Sequence, residues 1–442
     1  MSERTAEPLG DRPAIHAPKG ALFSIFLIVL VDFLGFGLII PLLPFYVPDY
    51  SENPMKVALI FSIYSVCQFV GAPILGSLSD RYGRRPVLIF SQIGSAAGYV
   101  LLGVASMPGW FDPQTRLMLV YLSRVIDGFT GGNVATAQAY ISDVTTSENR
   151  AKGMGMLGAA FGIGFCLGPF LGGVLGAYNV SWPAYAAALL ATLAAITTHF
   201  RLPESHNDRS TMAGSQHWLS PKRVVPVLKK PIVGQLLMIT FVSMAAFVIM
   251  EATVGLFLAK IWEIEDQKTA ARYTGWFFGY VGLIIVIVQG GLIGRLTKQF
   301  GEWRLAIAGA MFVAVGMAFY ISAGWWPTIL IIAFAGATNA IGRSLQGPTL
   351  SALISKYSDP KEQGVVFGLY HGLSSMARVI GPLLAGLTYP YLHNTGQYWT
   401  AGAIVLIVAA WTTIVRAQAA LPVQDAPLSN QSVAQAAVAE IE

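Results

Sequence analysis

"LGSLSDRYGRRPVLIF", residues 75–90, places Asp80, Arg81, Arg84 and Arg85 within six residues, between two long apolar runs. The chain around it is 54% hydrophobic and only 12% charged, with a mean hydropathy of +0.58. A soluble domain carries about 25% charged residues. Apolar stretches of about 20 residues recur along the chain, which is the length a helix needs to cross a bilayer. A backbone in lipid must satisfy its own hydrogen bonds, so it forms helices or a closed barrel. Barrel strands are about ten residues long and alternate; these runs are longer and apolar on every side. The charged cluster is therefore a short loop between two membrane helices.

Working outward, twelve spans are expected at 22–46, 57–78, 87–106, 117–140, 153–176, 182–199, 232–259, 273–293, 305–322, 327–350, 364–388 and 396–416. The domain plan is a tail (1–21), a six-helix bundle (22–199), a linker (200–231), a second bundle (232–416) and a second tail (417–442). The first twenty residues lack the apolar core of a cleavable signal. Cations such as Arg81, Arg84, Arg85, Arg201, Lys229, Lys230, Lys298, Arg304 and Lys356 fall on one side if both termini are cytoplasmic. Lys56, Arg116, Lys260, Lys268 and Arg272 fall on the other. The positive-inside rule then puts both termini in the cytoplasm of an inner or plasma membrane. The net charge of +5 is explained as orientation signals and lipid contacts, and no nucleic-acid partner is expected. Cys67 and Cys166 lie inside spans and read as small packing residues.

The chain also repeats itself. "GSLSDRYG" (76–83) has a partner in "GRLTKQFG" (294–301). "AYISDVTTSENRAKGMG" (139–155) aligns with "ALISKYSDPKEQGVVFG" (352–368), and Gly168-Pro169 with Gly381-Pro382. Two parallel six-span halves, related by an axis along the membrane normal, are the plan of secondary transporters that bind cargo near the midplane.

On these residues the chain resembles a major facilitator superfamily transporter, over essentially residues 22–416. "GSLSDRYGRRP" fits the family's G-x-x-x-D-R-x-G-R-R loop. "RVIDGFTGG" in span 4 resembles its R-x-x-x-G motif. "GIGFCLGPFLGG" in span 5 fits the antiporter motif through Gly164, Gly168, Pro169, Gly172 and Gly173. "VDFLGFGLIIPLLP" in span 1 resembles the twelve-span tetracycline and multidrug proton antiporters. The resemblance implies an all-α fold of twelve helices in two pseudo-symmetric bundles. It further implies a monomer that exports a hydrophobic or cationic small molecule against protons, across a lipid bilayer, without cofactor or metal. A proton symporter or a uniporter for a sugar or organic anion is the alternative.

Roles follow for particular residues. Gly76, Asp80, Arg81, Gly83, Arg84, Arg85 and Asp143 are expected to form a conformational latch. In the family the aspartate faces the start of span 11, here Gly364 to Gly368, in the outward-facing state, and the arginines pair with acids at the end of span 4. The second copy has Lys298 where the first has Asp80, so the latch is one-sided. A charge inside a span costs about 2.5–3.5 kcal/mol on insertion scales and faces a cavity or a partner. Asp32 in span 1 is the leading proton carrier, since apolar surroundings favour the neutral acid and a nearby cation favours the anion. Arg124 and Asp127, three apart in span 4, are neighbours on one face; the resemblance makes Arg124 the family's span-4 arginine and counts the two with the proton-coupling residues, mutual neutralisation being the alternative, and Glu251 in span 7 is a second proton site or cation anchor. Phe36, Tyr64, Phe161, Phe247, Trp276, Arg343 and Tyr370 are candidate cavity residues; His371 and Arg378 share span 11. There is no G-x-x-x-x-G-K-[ST] loop and no metal-ligand cluster, which speaks against a primary pump and against an enzyme.

Overall fold

The computed structural model describes residues 21–47, 53–107, 109–145, 147–205, 221–359 and 362–420. Both tails and linker residues 206–220 lie outside them, as do the side chains of Phe161 and Cys166. Among the described residues there is no strand. The helices are α1 (Ala21–Ile39), α2 (Pro54–Tyr82), α3 (Arg84–Ala105), α4 (Pro113–Thr130), α5 (Val134–Val144), α6 (Ser147–Tyr178), α7 (Trp182–Arg201) and α8 (Pro221–Leu228). After them come α9 (Val233–Ile261), α10 (Gln267–Ile287), α11 (Ile293–Phe300), α12 (Glu302–Ala323), α13 (Ile329–Tyr357), α14 (Gln363–Thr388) and α15 (Gly396–Ala420).

Nine described segments are long and apolar enough to span a bilayer. The rod α4–α5, and helices α6 and α14, fall where the other spans are expected. Large apolar side chains such as Phe90, Met118, Phe200, Leu283 and Ile329 stand exposed, as a lipid-facing exterior requires.

The breaks have local causes. Pro41 and Pro44 lack the amide hydrogen that an α-helix needs, so α1 passes into a 3-10 turn, Ile40–Tyr46. Gly131 and Gly132 interrupt span 4 with a 3-10 turn, Gly131–Asn133, between α4 and α5. Gly290 and Gly291 lie in a π-turn, Val288–Leu292, that joins α10 to α11. Asp112 and Asp266 cap α4 and α10. Hydrogen bonds from Thr115 and Thr269 hold these two exposed carboxyls below the usual range.

Packing follows the sequence repeat. In the first half α1 lies on α6 and α7, and α3 on α4 and α7. In the second, α9 lies on α14 and α15, and α12 on α13 and α15. The halves meet through two symmetry-related crossings, α6 on α10 and α2 on α14. The repeated glycines Gly83 and Gly301 have φ of +104° and +74°, a conformation that side-chain-bearing residues resist, and each precedes the helix of its half, α3 or α12.

Candidate functional site

In the first bundle a buried polar cluster surrounds Asp32, midway along α1. Asn133, at the end of the 3-10 break, donates from Nδ2 to Asp32 Oδ2 at 2.7 Å. The break in span 4 is what presents Asn133 toward α1. Gln92 on α3 stands beside the same carboxyl, and its fully buried Nε2 has no hydrogen-bond partner. Arg124 does not bond Asp32. It pairs with Asp127 at 3.1 Å, both essentially buried, and its guanidinium lies 5.7 Å from the Tyr99 ring centre. A buried pair of this kind satisfies both charges, and its second nitrogen, Nη2, is left unpartnered. The Tyr64 ring centre lies 5.3 Å from that of Phe36.

The loop at Gly83 forms a second cluster. Arg84 is buried; it pairs with Asp80 at 2.5 Å and with Asp143 at 3.1 Å, and donates to Ser79 Oγ at 2.7 Å. Arg85 donates to the His199 carbonyl, and Arg81 lies over Tyr82. Glu204, just past α7, accepts from the backbone N–H groups of Arg84 and Arg85 at 2.9 and 3.1 Å, capping α3 across 120 residues of chain. Ser205 donates to Asp143 at 3.1 Å. A Cβ on Gly83 would lie 2.4 Å from the Glu204 carboxylate and push the cap aside, while the φ of +104° is what selects glycine there. Glu204→Ala leaves two buried-end donors uncapped and is expected to cost about 0.5–2 kcal/mol. Thermal unfolding of the purified protein should show a lower midpoint; an unchanged one would show that the cap is immaterial.

The four-spaced row Gly164, Gly168 and Gly172 of α6 packs on α1, where their Cβ positions would meet Phe33, Gly37 and Leu38 at 2.2–2.7 Å. The same helix meets span 8 through the next register: Gly173 lies against Gly275, where a Cβ on either would be 2.0 Å from the other's Cα, and Gly279 meets the Phe170 ring. Pro169 is buried within α6. On the symmetry-related crossing Gly386 meets Ala58 and Met55, and Ser62 donates to the Val379 carbonyl at 2.9 Å.

The end that carries Gly83 is different. Gly76, named for the latch, has nothing among the described residues within 4 Å of a Cβ position, nor have Gly290, Gly291 and Gly294. None of the residues of α11 is buried. A side-chain bridge does cross here, between Gln138 of α5 and His371 of α14 at 3.3 Å. Among the described residues the bundles are thus sealed at one end and, the Gln138–His371 bridge apart, parted along α2 and α11 at the other.

In the second bundle a cavity is lined by Phe247, Phe277, Tyr320, Asn339 and Arg343, among others. Arg343 lies 4.6 Å from the Phe247 ring centre and contacts Met244 Sδ at 2.7 Å. Tyr370 and Arg378 are within electrostatic reach of it. Glu251 is buried, one helical turn from Phe247, with Oε1 unpartnered. Trp276 is 60% exposed and stays out of this cavity; the turn of α10 sends Phe277 inward instead. Among the described residues no group of His, Cys, Asp or Glu could hold a metal.

Comparison with known proteins fits this arrangement. The family model described as Major Facilitator Superfamily matches residues 25–339 and 292–438. The chain is 32% identical over 410 residues to the class C tetracycline resistance protein of Escherichia coli, covering 88% of this chain and 95% of that protein. It is 26% identical to multidrug resistance protein 2 of Bacillus subtilis (strain 168), over 89% of this chain and 95% of that one. The crystal structure of the human organic anion transporter MFSD10 superposes with a TM-score of 0.65 at 23% identity, covering 89% of this chain and 99% of that chain.

Proposed function

The chain belongs to the major facilitator superfamily, and from that premise we propose that it is a proton-coupled antiporter that exports a hydrophobic or cationic small molecule, of the drug class, by alternating access. The observation that carries the reading is Asp32: a half-buried carboxyl in the middle of a membrane helix, hydrogen-bonded to Asn133 and in no ion pair among the described residues. Arg124 is neutralised by Asp127, so Asp32 is free to exchange its proton. The relatives named for tetracycline and multidrug resistance support export of such cargo. Drug flux in vesicles with and without a pH gradient tests the proposal, and gradient-independent flux would remove antiport from it.

With both termini in the cytoplasm, the sealed end faces outward and the parted end inward, so this is the inward-facing form. Asp80 then sits with Arg84, away from span 11. In the outward-facing form it would dock on the N-terminus of α14, whose dipole favours an anion. Asp80→Asn is expected to destabilise only the outward-facing state, by about 0.3–1 kcal/mol, because Arg84 keeps Asp143 here. Transport rate should fall severalfold while thermal stability stays the same. Equal loss of both would mean that Asp80 is merely structural.

A second reading, a carrier of organic anions, is favoured by one observation: Arg343 lines the cavity and belongs to no ion pair among the described residues. The related human transporter is named for organic anions.

A further inference from the structure

Gln92 of α3 is fully buried, and Asn133 nearly so, whereas Asp32 is half-buried. The carboxyl therefore has an accessible side and a side walled by amides. The two polar atoms of Gln92 are treated differently. Its Oε1 accepts from the Thr198 hydroxyl of α7 at 2.8 Å, and Thr198 is itself fully buried. That bond sets which way the amide faces, because it leaves the NH2 group, which only donates, on the Asp32 side. Yet Nε2 has no hydrogen-bond partner in this form. Buried polar groups are normally satisfied, and an exception calls for an explanation. Asp32 already accepts from Asn133 at 2.7 Å, so the cluster holds one donor in use and a second in reserve.

We infer that Gln92 is a positioning residue for proton exchange: when Asp32 gives up its proton, Gln92 Nε2 becomes the second donor to the carboxylate, with Thr198 holding the amide in the donating orientation. The neutral acid has a hydrogen of its own to place and gains little from a second donor. The anion only accepts, and gains most. Two amides can thus stabilise a buried carboxylate without a cation. The titratable neighbours leave that task to them. Arg124 and Asp127 of α4 neutralise each other, and Asp143 of α5 belongs to the Arg84 cluster. Tyr46 of the 3-10 turn, Tyr64 of α2 and Tyr99 of α3 are phenols. Helices α6 and α7, which also pack on α1, carry no Asp, Glu, His, Lys or Arg between residues 155 and 198. The inference rests on the proton-exchange reading for its purpose, but the arrangement of the amides does not.

Infrared titration of the purified full-length protein tests it. The carbonyl stretch of the protonated acid reports Asp32 directly, as the band lost in Asp32→Asn. Gln92→Met keeps the length and burial of the side chain and removes the donor. Without that donor the anion is less favoured, so the proton is held to higher pH. The midpoint of the band should rise by about one pH unit, as losing one hydrogen bond to a charged group implies. Thr198→Val removes the hydroxyl that orients the amide and should shift the midpoint the same way by less; it decides the matter if Gln92→Met does not fold. Thr198→Ser restores the hydroxyl and with it the original midpoint. A midpoint that stays or falls in the deciding variant, an equal shift in Thr198→Ser and Thr198→Val, or no titrating band lost with Asp32→Asn overturns the inference. Drug-driven proton flux measured on the same preparations separates the two readings. Flux with an unmoved midpoint sinks this inference alone, whereas a shifted midpoint without flux sinks the transport reading alone.

Discussion

Asp32→Asn is expected to reduce export driven by a pH gradient to background, about a hundredfold, while the protein still folds. The substituted amide has the shape of the acid, so Asn133 keeps a carbonyl oxygen to donate to, and packing of α1 on α6 is undisturbed. What is lost is the choice between two protonation states. An ionised group in a span carries about 2.5–3.5 kcal/mol of cost, and 1.4 kcal/mol is a factor of ten, so that choice biases the two conformations by about two decades. The readout is uphill drug efflux from inverted vesicles, alongside the elution profile of the purified variant. Retained uphill efflux would place the proton elsewhere, at Asp127 or Glu251. A variant that aggregates would make Asp32 a packing residue.

With both termini in the cytoplasm, as proposed, Gly173→Ala is expected to jam the seal at the outer end. The added methyl would sit 2.0 Å from the Cα of Gly275, backbone against backbone, where no side chain can turn away. Overpacking of this kind costs about 1–3 kcal/mol, and the cost falls only on the inward-facing form, because the outer ends separate in the other. The population should therefore move toward the outward-facing form by about ten- to a hundredfold. A cysteine placed at Ala58, buried under Gly386 on the companion crossing, reports it in a background lacking Cys67 and Cys166. An impermeant maleimide added outside should label that cysteine faster by a similar factor in the Gly173→Ala background, and transport should slow. Unchanged labelling would mean that the α6–α10 crossing does not gate access.

Much of this architecture is legible in the residues. Twenty-residue apolar runs and scarce charge give membrane helices, and the paired "GSLSDRYG" and "GRLTKQFG" give two related halves because both need a glycine at a turn with positive φ. Helix ends are less legible. α2 runs to Tyr82 and α10 continues through a π-turn into α11, because helices extend past the apolar window into water. Contacts distant in sequence leave no local trace. Glu204 caps α3 from another part of the chain, and nothing near Glu204 marks it as a cap. Asn133 reaches Asp32 only because Gly131 and Gly132 break span 4, a signal visible as a glycine pair but not as a partner. The glycine row of α6 announces close packing, yet a one-residue change of register decides between α1 and α10. Trp276 and Phe277 are equally aromatic, and only the rotation of α10 separates an exposed ring from a cavity wall.

The most direct measurement is of the hydrogen ion itself. Purified protein in liposomes loaded with a pH-sensitive dye should, when drug is added on one side, move protons in the direction opposite to the drug. The signal should vanish with Asp32→Asn. Drug movement with no proton signal, or with protons travelling alongside it, would contradict the exchange on which the account depends.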